Sequence, residues 1–309
     1  MLSVIIPAYN ERENIAHTAE TLAAVLRKAE IPYELLFVDD GSTDGSWDAV
    51  RRCSAEQPAV RGLSFSRNFG KESAIFAGMA AAKGDCCVVI DCDLQHPPEK
   101  IVEMYRLWEQ GFEVIQGVKT SRGRESIFHR LAAGCFYRLI SRSAGMDLAN
   151  ASDFRLLDRK AVDSLLAMGE TGAFFRALSS WIGFRTASVE FDVQERYAGQ
   201  SKWSTRALTG YALNNITGFT AVPLHIITYL GILTLLISLV MGVIALCQKF
   251  SGRALEGFTT VIILQLLMSS IIMISLGIIG YYLSKIYDAQ KGRPRYIISD
   301  CCGKTLQED

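Results

Sequence analysis

Val88–Gln95 reads VVIDCDLQ. The β-branched run Val88, Val89 and Ile90 predicts a buried strand. The strand delivers two carboxylates, Asp91 and Asp93, with Gln95 following in the same alternation. Open α/β sheets hold ligands beyond the carboxyl ends of their strands. Hard divalent cations take oxygen ligands, and Mg²⁺ commonly combines one or two carboxylates with substrate phosphates. The stretch therefore predicts a metal-bridged diphosphate site. Solvated acids in a turn are the plainer alternative for a D-x-D motif standing alone.

The chain around this strand repeats its pattern. Ser3–Ile6 predicts a first buried strand, followed by Tyr9-Asn10-Glu11 and a helix over Asn14–Arg27 with Ile15, Ala19, Leu22, Val25 and Leu26 on one face. Tyr33–Val38 is a second strand that ends in Asp39-Asp40-Gly41-Ser42, and Asp44 suits an N-cap for a helix carrying Trp47 and Val50. Gly62–Phe65 is a third strand. It leads through Ser66–Lys71 to an alanine-rich helix over Ser73–Ala82. Pro97-Pro98-Glu99 opens a helix with Ile101, Tyr105 and Trp108 on its apolar face, and Glu113–Gly117 is a fifth strand. Strands alternating with helices through short links predict a mostly parallel sheet covered on both faces. Strand ends then share one edge, so Glu11, Asp39, Asp40, Asp91 and Asp93 approach one cleft. Asp39 and Asp40 leave two readings open: a turn with an N-cap, or acceptors for a base or ribose.

Beyond Gly117 the segment containing Lys119, Arg122, Arg124, Arg130, Arg138 and Arg142 is rich in cations. It suits a solvated face or bidentate phosphate binding. Asp153–Leu157 predicts a strand or edge segment with Asp153 at its mouth, Ala161–Met168 and Gly172–Trp181 predict helices, and Thr186–Val193 predicts a strand. Arg196–Trp203, RYAGQSKW, is either a loop that closes over phosphates or a basic linker beside a membrane. Ala207–Phe219 is an aromatic, mostly uncharged helix suited to a membrane interface.

Val222–Cys247 and Phe258–Ser284 contain no Asp, Glu, Lys or Arg, and each is long enough to cross a bilayer core of about 30 Å. Gln248–Gly257 reads as the hairpin loop between them. Lys202, Arg206, Lys285, Lys291, Arg293 and Arg295 flank the pair, and the loop holds Lys249 and Arg253. That bias places the large domain and the tail in the cytoplasm. The spans lack a mid-depth ionisable group, which argues against a transporter.

The composition agrees. The 309 residues are 50% hydrophobic with mean hydropathy +0.19, the excess falling in the last third. A formal net charge of zero argues against general nucleic-acid binding. The eight cysteines show no C-x-x-C and read as reduced thiols. The N-terminal MLSVIIPAYNERENI lacks the basic start and apolar length of a signal peptide.

Six motifs occur in order: PAYNE (Pro7–Glu11), VDDGSTD (Val38–Asp44), SRNFGKESA (Ser66–Ala74), DCDLQHPPE (Asp91–Glu99), SDFRLLDR (Ser152–Arg159) and RYAGQSKW (Arg196–Trp203). Together they resemble family 2 glycosyltransferases of the polyisoprenyl-phosphate type, the group that includes dolichyl-phosphate mannose synthases and bactoprenol glucosyltransferases. The resemblance implies a GT-A, Rossmann-like domain over 1–205, an interfacial amphipathic helix over 206–221, a two-helix transmembrane hairpin (222–247 and 258–284) and a cytoplasmic tail over 285–309. It also implies an enzyme of a bacterial inner membrane, a nucleotide-sugar donor (UDP-glucose first) and an undecaprenyl-phosphate acceptor. GDP-mannose, UDP-N-acetylglucosamine and UDP-aminoarabinose remain alternative donors, and a homo-oligomer is compatible. By the same resemblance Pro7, Ala8, Tyr9, Glu11, Asp39, Asp40, Lys71, Asp91, Cys92 and Asp93 hold the nucleotide sugar. Asp91, Asp93 and Gln95 hold Mg²⁺ or Mn²⁺, and Arg122, Arg130, Arg196, Ser201 and Lys202 contact phosphate. The catalytic set is Asp91, Asp93 and Asp153. Many family members carry a Glu-Asp pair as base; here it reads Ser152-Asp153, which leaves Asp153 as base or as orienter. In-line displacement with inversion and a β-linked product are the implied chemistry. A processive polysaccharide synthase would show Q-x-x-R-W, which Gln200–Trp203 lacks. A non-catalytic membrane scaffold is the alternative from another class.

Overall fold

The structure is a computed structural model that describes residues 1–120, 151–169, 175–194, 222–251 and 258–303. The chain forms two compact units, Met1–Ala212 with Pro294–Asp309, and Leu213–Arg293.

The first unit is built on one sheet. Strands β1 (Leu2–Ala8), β2 (Tyr33–Asp39), β3 (Val60–Phe65) and β4 (Cys86–Val89) run parallel. Helices α1 (Arg12–Lys28), α2 (Ser46–Glu56) and α3 (Lys71–Ala81) connect them. After α4 (Glu99–Glu109) come β5 (Val114–Lys119), β6 (Ala151–Asp158), α5 (Arg159–Ala167), α6 (Phe175–Trp181) and β7 (Thr186–Phe191). A last strand, β8 (Ile298–Cys302), completes the order β7-β5-β6-β4-β1-β2-β3-β8. β6 is antiparallel to β4 and β5, and β8 is antiparallel to β3.

The hydrophobic pattern explains the layering. β1 and β2 are buried on both faces, so their apolar runs are nearly continuous. Along β2 successive side chains face opposite ways. Leu35 and Phe37 join Ile15, Ala19 and Leu22 of α1, whereas Leu36 and Val38 join Ala74 and Ala77 of α3. α3 lies close on the sheet because Gly78 has no Cβ; one there would stand 2.3 Å from Ile5 Cγ2.

Four features refine the sequence expectations. The alanine-rich helix starts at Lys71, so this residue heads a helix and does not lie in the preceding loop. Asp153–Leu157 is an interior strand and not an edge: β6 lies between β4 and β5, and its Arg155 is fully buried. The stretch read as a tail, 285–309, contains β8. Asp44 caps α2 from one position further out than expected. Its Oδ1 accepts the Ser46 N–H at 2.9 Å, and Gly45 occupies the N-cap position.

The second unit holds two long helices, α7 (Val222–Phe250) and α8 (Phe258–Gln290), with large apolar side chains such as Leu236, Leu239, Leu267 and Met273 exposed. Among the described residues, one stretch, Leu267–Gln290, is long and apolar enough to cross a membrane by length and composition. The expected interfacial helix over 207–219 lies outside the described residues, as do Arg122, Arg130, Arg196, Ser201 and Lys202.

Candidate active site

The carboxyl ends of β1, β2 and β4 meet at one edge of the sheet. Ala8 pairs with Asp39, and Asp40 donates its N–H to the Ala8 carbonyl at 2.9 Å. Ile5 pairs with Val89, and Ile90 donates to the Ile5 carbonyl at 3.0 Å. This edge therefore brings together Pro7, Ala8, Tyr9, Glu11, Asp39, Asp40 and the loop Asp91–Gln95.

The first two loops are stitched to each other. Asn10 donates its N–H to Ser42 Oγ at 2.8 Å, and its Oδ1 accepts the Thr43 N–H at 2.9 Å. Glu11 donates its N–H to Ser46 Oγ at 2.9 Å. Gly41 makes the turn possible, with φ +68° and space for no Cβ, since one would meet the Arg67 carbonyl carbon at 2.4 Å.

The two acids ending β2 have different surroundings. Asp39 accepts the Ser64 hydroxyl on Oδ2 at 2.9 Å and the Ser42 N–H on Oδ1 at 3.2 Å. Asp40 turns to the next loop, where its oxygens accept the Phe69 N–H at 2.7 Å and the Gly70 N–H at 2.9 Å. Burial raises the pKa of Asp40 against the pull of those two amides. Asp40 thus fixes the turn from which α3, and Lys71 with it, departs.

The Asp91–Gln95 loop turns sharply at Leu94, which has φ +52°, a strained value for a bulky side chain. Asp93 Oδ1 accepts the Gln95 N–H at 3.2 Å. Cys92 is buried and its carbonyl accepts the Thr18 hydroxyl at 2.7 Å, so it meets α1. The donor set of Asp91, Asp93 and Gln95 is all oxygen, which suits Mg²⁺ or Mn²⁺ and not a thiophilic ion. Among the described residues no cluster of three or more His, Cys, Asp or Glu side chains could hold a metal. Two carboxylates and a carboxamide fit a cation whose remaining ligands come from a diphosphate and water.

Beside this loop lies a partly buried charge cluster centred on the buried Asp153. Lys71 Nζ stands 2.6 Å from Asp91 Oδ1 and 2.9 Å from Asp153 Oδ2. Arg176, the second residue of α6, grips Asp153 from the other side, Nε to Oδ1 at 2.6 Å and Nη2 to Oδ2 at 3.0 Å. Burial alone would raise the Asp153 carboxyl, but Lys71 and Arg176 outweigh it and hold it well below the usual range. Burial likewise opposes ionisation of Asp91, and Lys71 reverses it. Lys71 stays protonated, because Asp153 and Asp91 more than offset its desolvation.

Sequence reasoning missed Arg176 and its support. Glu72 Oε2 accepts the Phe175 N–H at 2.9 Å and so pins the start of α6. Burial, then the charge of Asp153, pushes Glu72 up to about 7. Arg155 donates to Ser179 and Ser180 hydroxyls at 2.7 and 2.9 Å, and burial pulls it down to about 10. His96 lies buried between Phe154 and Phe191, with ring centroids 5.0 and 5.2 Å away. None of these residues belongs to a periodic pattern that announces a ligand.

Two described residues that adjoin the cation-rich segments in sequence, Thr120 and Gln194, lie at this edge. Thr120 donates its N–H to the Phe191 carbonyl at 3.0 Å at the end of β5. Gln194, two positions before Arg196, donates its N–H to the Gln95 carbonyl at 3.0 Å.

The family model for "Glycosyl transferase family 2" matches residues 3–166, from β1 through α5. The chain belongs to glycosyl transferase family 2. It is 40% identical to the uncharacterized glycosyltransferase YkcC of Bacillus subtilis, over 97% of this chain and 94% of that protein. It is 33% identical to a prophage bactoprenol glucosyl transferase homolog of Escherichia coli, over 96% of this chain and 98% of that protein. It is 32% identical to a bactoprenol glucosyl transferase of Shigella phage SfV, over 97% and 98%. Among solved structures, glucosyl-3-phosphoglycerate synthase of Mycobacterium tuberculosis, crystallised with Mn²⁺, UDP and glucosyl-3-phosphoglycerate, superposes with TM-score 0.52 at 18% identity. That likeness covers 70% of this chain and 77% of the synthase, and it shows the GT-A fold. This family 2 enzyme thus carries its D-x-D loop, its Asp39 carboxylate and the Lys71–Asp153–Arg176 cluster on the catalytic domain of a glycosyltransferase.

Proposed function

We propose that the enzyme transfers a sugar from a nucleotide sugar to a polyprenyl phosphate, in a reaction that uses a divalent cation. The observation that carries this reading is the position of Asp91 and Asp93 at the carboxyl end of β4, with Asp39 on one side and the Lys71–Asp153–Arg176 cluster on the other. The relatives named bactoprenol glucosyl transferase, aligned over nearly their whole length, support a polyprenyl carrier as acceptor and glucose as the sugar.

Asp39, fixed by Ser64 and Ser42, is suited to accept hydrogen bonds from the nucleoside. Asp91, Asp93 and Gln95 would hold Mg²⁺ or Mn²⁺, which screens the charge that develops on a leaving diphosphate. Arg122, Arg130, Arg196, Ser201 and Lys202 are assigned to phosphate contacts. The described residues nearest to them in sequence, Thr120 and Gln194, bond to Phe191 and Gln95, which supports that assignment. The acceptor is an anionic nucleophile, so attack opposite the leaving group gives inversion and a β-linked product from an α-linked donor.

A two-helix membrane hairpin completes the proposal. β8 lies in the same sheet as β1–β7, so the chain that leaves the first unit after Ala212 returns to it at Pro294. A chain that crosses a bilayer between those points crosses it an even number of times. α7 and α8, with 29 and 33 residues, span about 43 and 49 Å, enough for a core of about 30 Å. The Lys and Arg residues that flank the pair favour a cytoplasmic domain side, at a bacterial inner membrane.

The test is a transfer assay. Membranes containing the protein receive polyprenyl phosphate, Mg²⁺ or Mn²⁺ and a panel of labelled nucleotide sugars. The expected result is EDTA-sensitive movement of label from UDP-glucose into the lipid phase. Transfer from another donor alone reassigns the sugar, and transfer from none contradicts the reading.

A further inference from the structure

Asp153 occupies the position that many family members use for a base, yet its surroundings are those of a counter-ion. A carboxylate offers about four lone-pair directions. Three charge-assisted contacts already take three of those directions on Asp153: Lys71 at 2.9 Å, and Arg176 at 2.6 and 3.0 Å. Its side chain is only 8% exposed, whereas Lys71 and Arg176 keep 36% and 25% of theirs open to solvent. The anion is enclosed and its two cations are partly exposed.

We propose that Asp153 takes no proton in the reaction and instead holds Lys71 and Arg176 side by side as a two-cation seat for the acceptor's phosphate. This inference rests on the transfer reaction proposed above. Arg176 contacts the phosphate; Asp153 and Glu72 are positioning residues, Glu72 by pinning the Phe175 N–H that begins α6.

The charges around Asp153 favour an anionic ligand. Lys71 and Glu72 approach it from α3, Arg176 from α6, Arg155 from β6, Asp91 from the end of β4 and Lys119 from the end of β5. Four cations face three carboxylates, one of which, Glu72, is pushed toward neutrality by burial. A guanidinium and an ammonium together match the oxygens of a phosphate monoester.

The chemistry balances without a base. One bond forms between an acceptor phosphate oxygen and the anomeric carbon. The bond from that carbon to the donor's diphosphate breaks, and its electron pair leaves with the nucleoside diphosphate. The monoester, with a second pKa of about 6, is already ionised near neutrality, so no proton has to move.

The experiment measures transfer to polyprenyl phosphate by the full-length enzyme in detergent, across about pH 5.5 to 9, for wild type, Arg176→Ala, Arg176→Lys and Asp153→Asn. Arg176→Ala is expected to raise the acceptor KM about tenfold or more, leave the donor KM unchanged and leave the acid limb of the pH profile where it was. Arg176→Lys is expected to recover part of that loss. Asp153→Asn is expected to lower acceptor kcat/KM with an unmoved acid limb. If Asp153 is a base, removing Arg176 moves the acid limb upward with the acceptor KM unchanged, and Asp153→Asn abolishes that limb; either result overturns the proposal. If Arg176→Ala does not fold, Arg176→Lys decides, because an unchanged acceptor KM there also overturns it. A wild-type enzyme that transfers to no polyprenyl phosphate overturns the reaction itself.

Discussion

Trp47 donates its indole N–H to Asp300 at 3.1 Å, across 253 positions of sequence. Arg51 pairs with the same carboxylate, and Tyr296 stacks on Phe65 with centroids 5.2 Å apart. β8 thereby covers the β3 edge, which would otherwise present unpaired backbone groups. Asp300→Ala is expected to cost about 1 kcal/mol, since the carboxylate is partly exposed. Removal of the chain after Pro294 should cost more and promote aggregation. Thermal melting and light scattering of the full-length and shortened proteins in detergent check both; an unchanged melt would show that β8 adds nothing.

Glu34 and Arg61 form a buried ion pair far from the catalytic edge. Glu34 also accepts the Ser3 hydroxyl at 2.5 Å and the Lys83 N–H at 2.7 Å. Glu34→Ala leaves Arg61 charged and buried without its counter-ion, and about 3 kcal/mol of stability should be lost. A shift in the denaturant midpoint reads it.

Glu72 gives the stability a definite pH dependence. Its folded pKa, about 7, lies above its ordinary 4.5. The folded chain therefore binds more protons than the unfolded chain between those values. The stabilisation is complete below about pH 4.5 and is lost as pH rises through about 7. Asp153 has the opposite sign: its depressed pKa stabilises the fold above its ordinary 3.8, and that contribution is lost only as pH falls through the folded value. Glu72→Gln should flatten the decline between pH 4.5 and 7, measured as the denaturant midpoint at several pH values, while leaving the acid side unchanged.

Much of the catalytic edge was legible because it rests on local pattern. The Val88–Ile90 run announces a buried strand, and the acids follow it directly. The start of α3 was misplaced because the Gly70 N-cap resembles a loop residue; tertiary hydrogen bonds from Phe69 and Gly70 to Asp40 decide the boundary. The sequence leaves Asp153–Leu157 as a strand or an edge segment, and the burial of Arg155 goes with the interior place of β6. Ser179, Ser180 and the Ser152 carbonyl receive the buried Arg155 guanidinium, a fact distributed over two elements, β6 and α6. Arg176 stands 23 positions from Asp153 with no motif joining them. β8 lacks alternation, and β3 makes it a strand.

Asp93→Asn removes one of the two carboxylates assigned to the cation. Turnover should fall by about a hundredfold or more, with the concentration of Mg²⁺ needed for half-maximal rate raised. Full activity with an unchanged metal requirement would remove Asp93 from the site.

The most direct measurement compares two acceptors. The wild-type enzyme is given labelled UDP-glucose, Mg²⁺ and either polyprenyl phosphate or the corresponding polyprenol. Label is expected in the lipid phase with the phosphate alone, and EDTA should abolish it. Transfer to the free alcohol at a comparable rate would contradict a reaction in which the acceptor's own phosphate is the nucleophile.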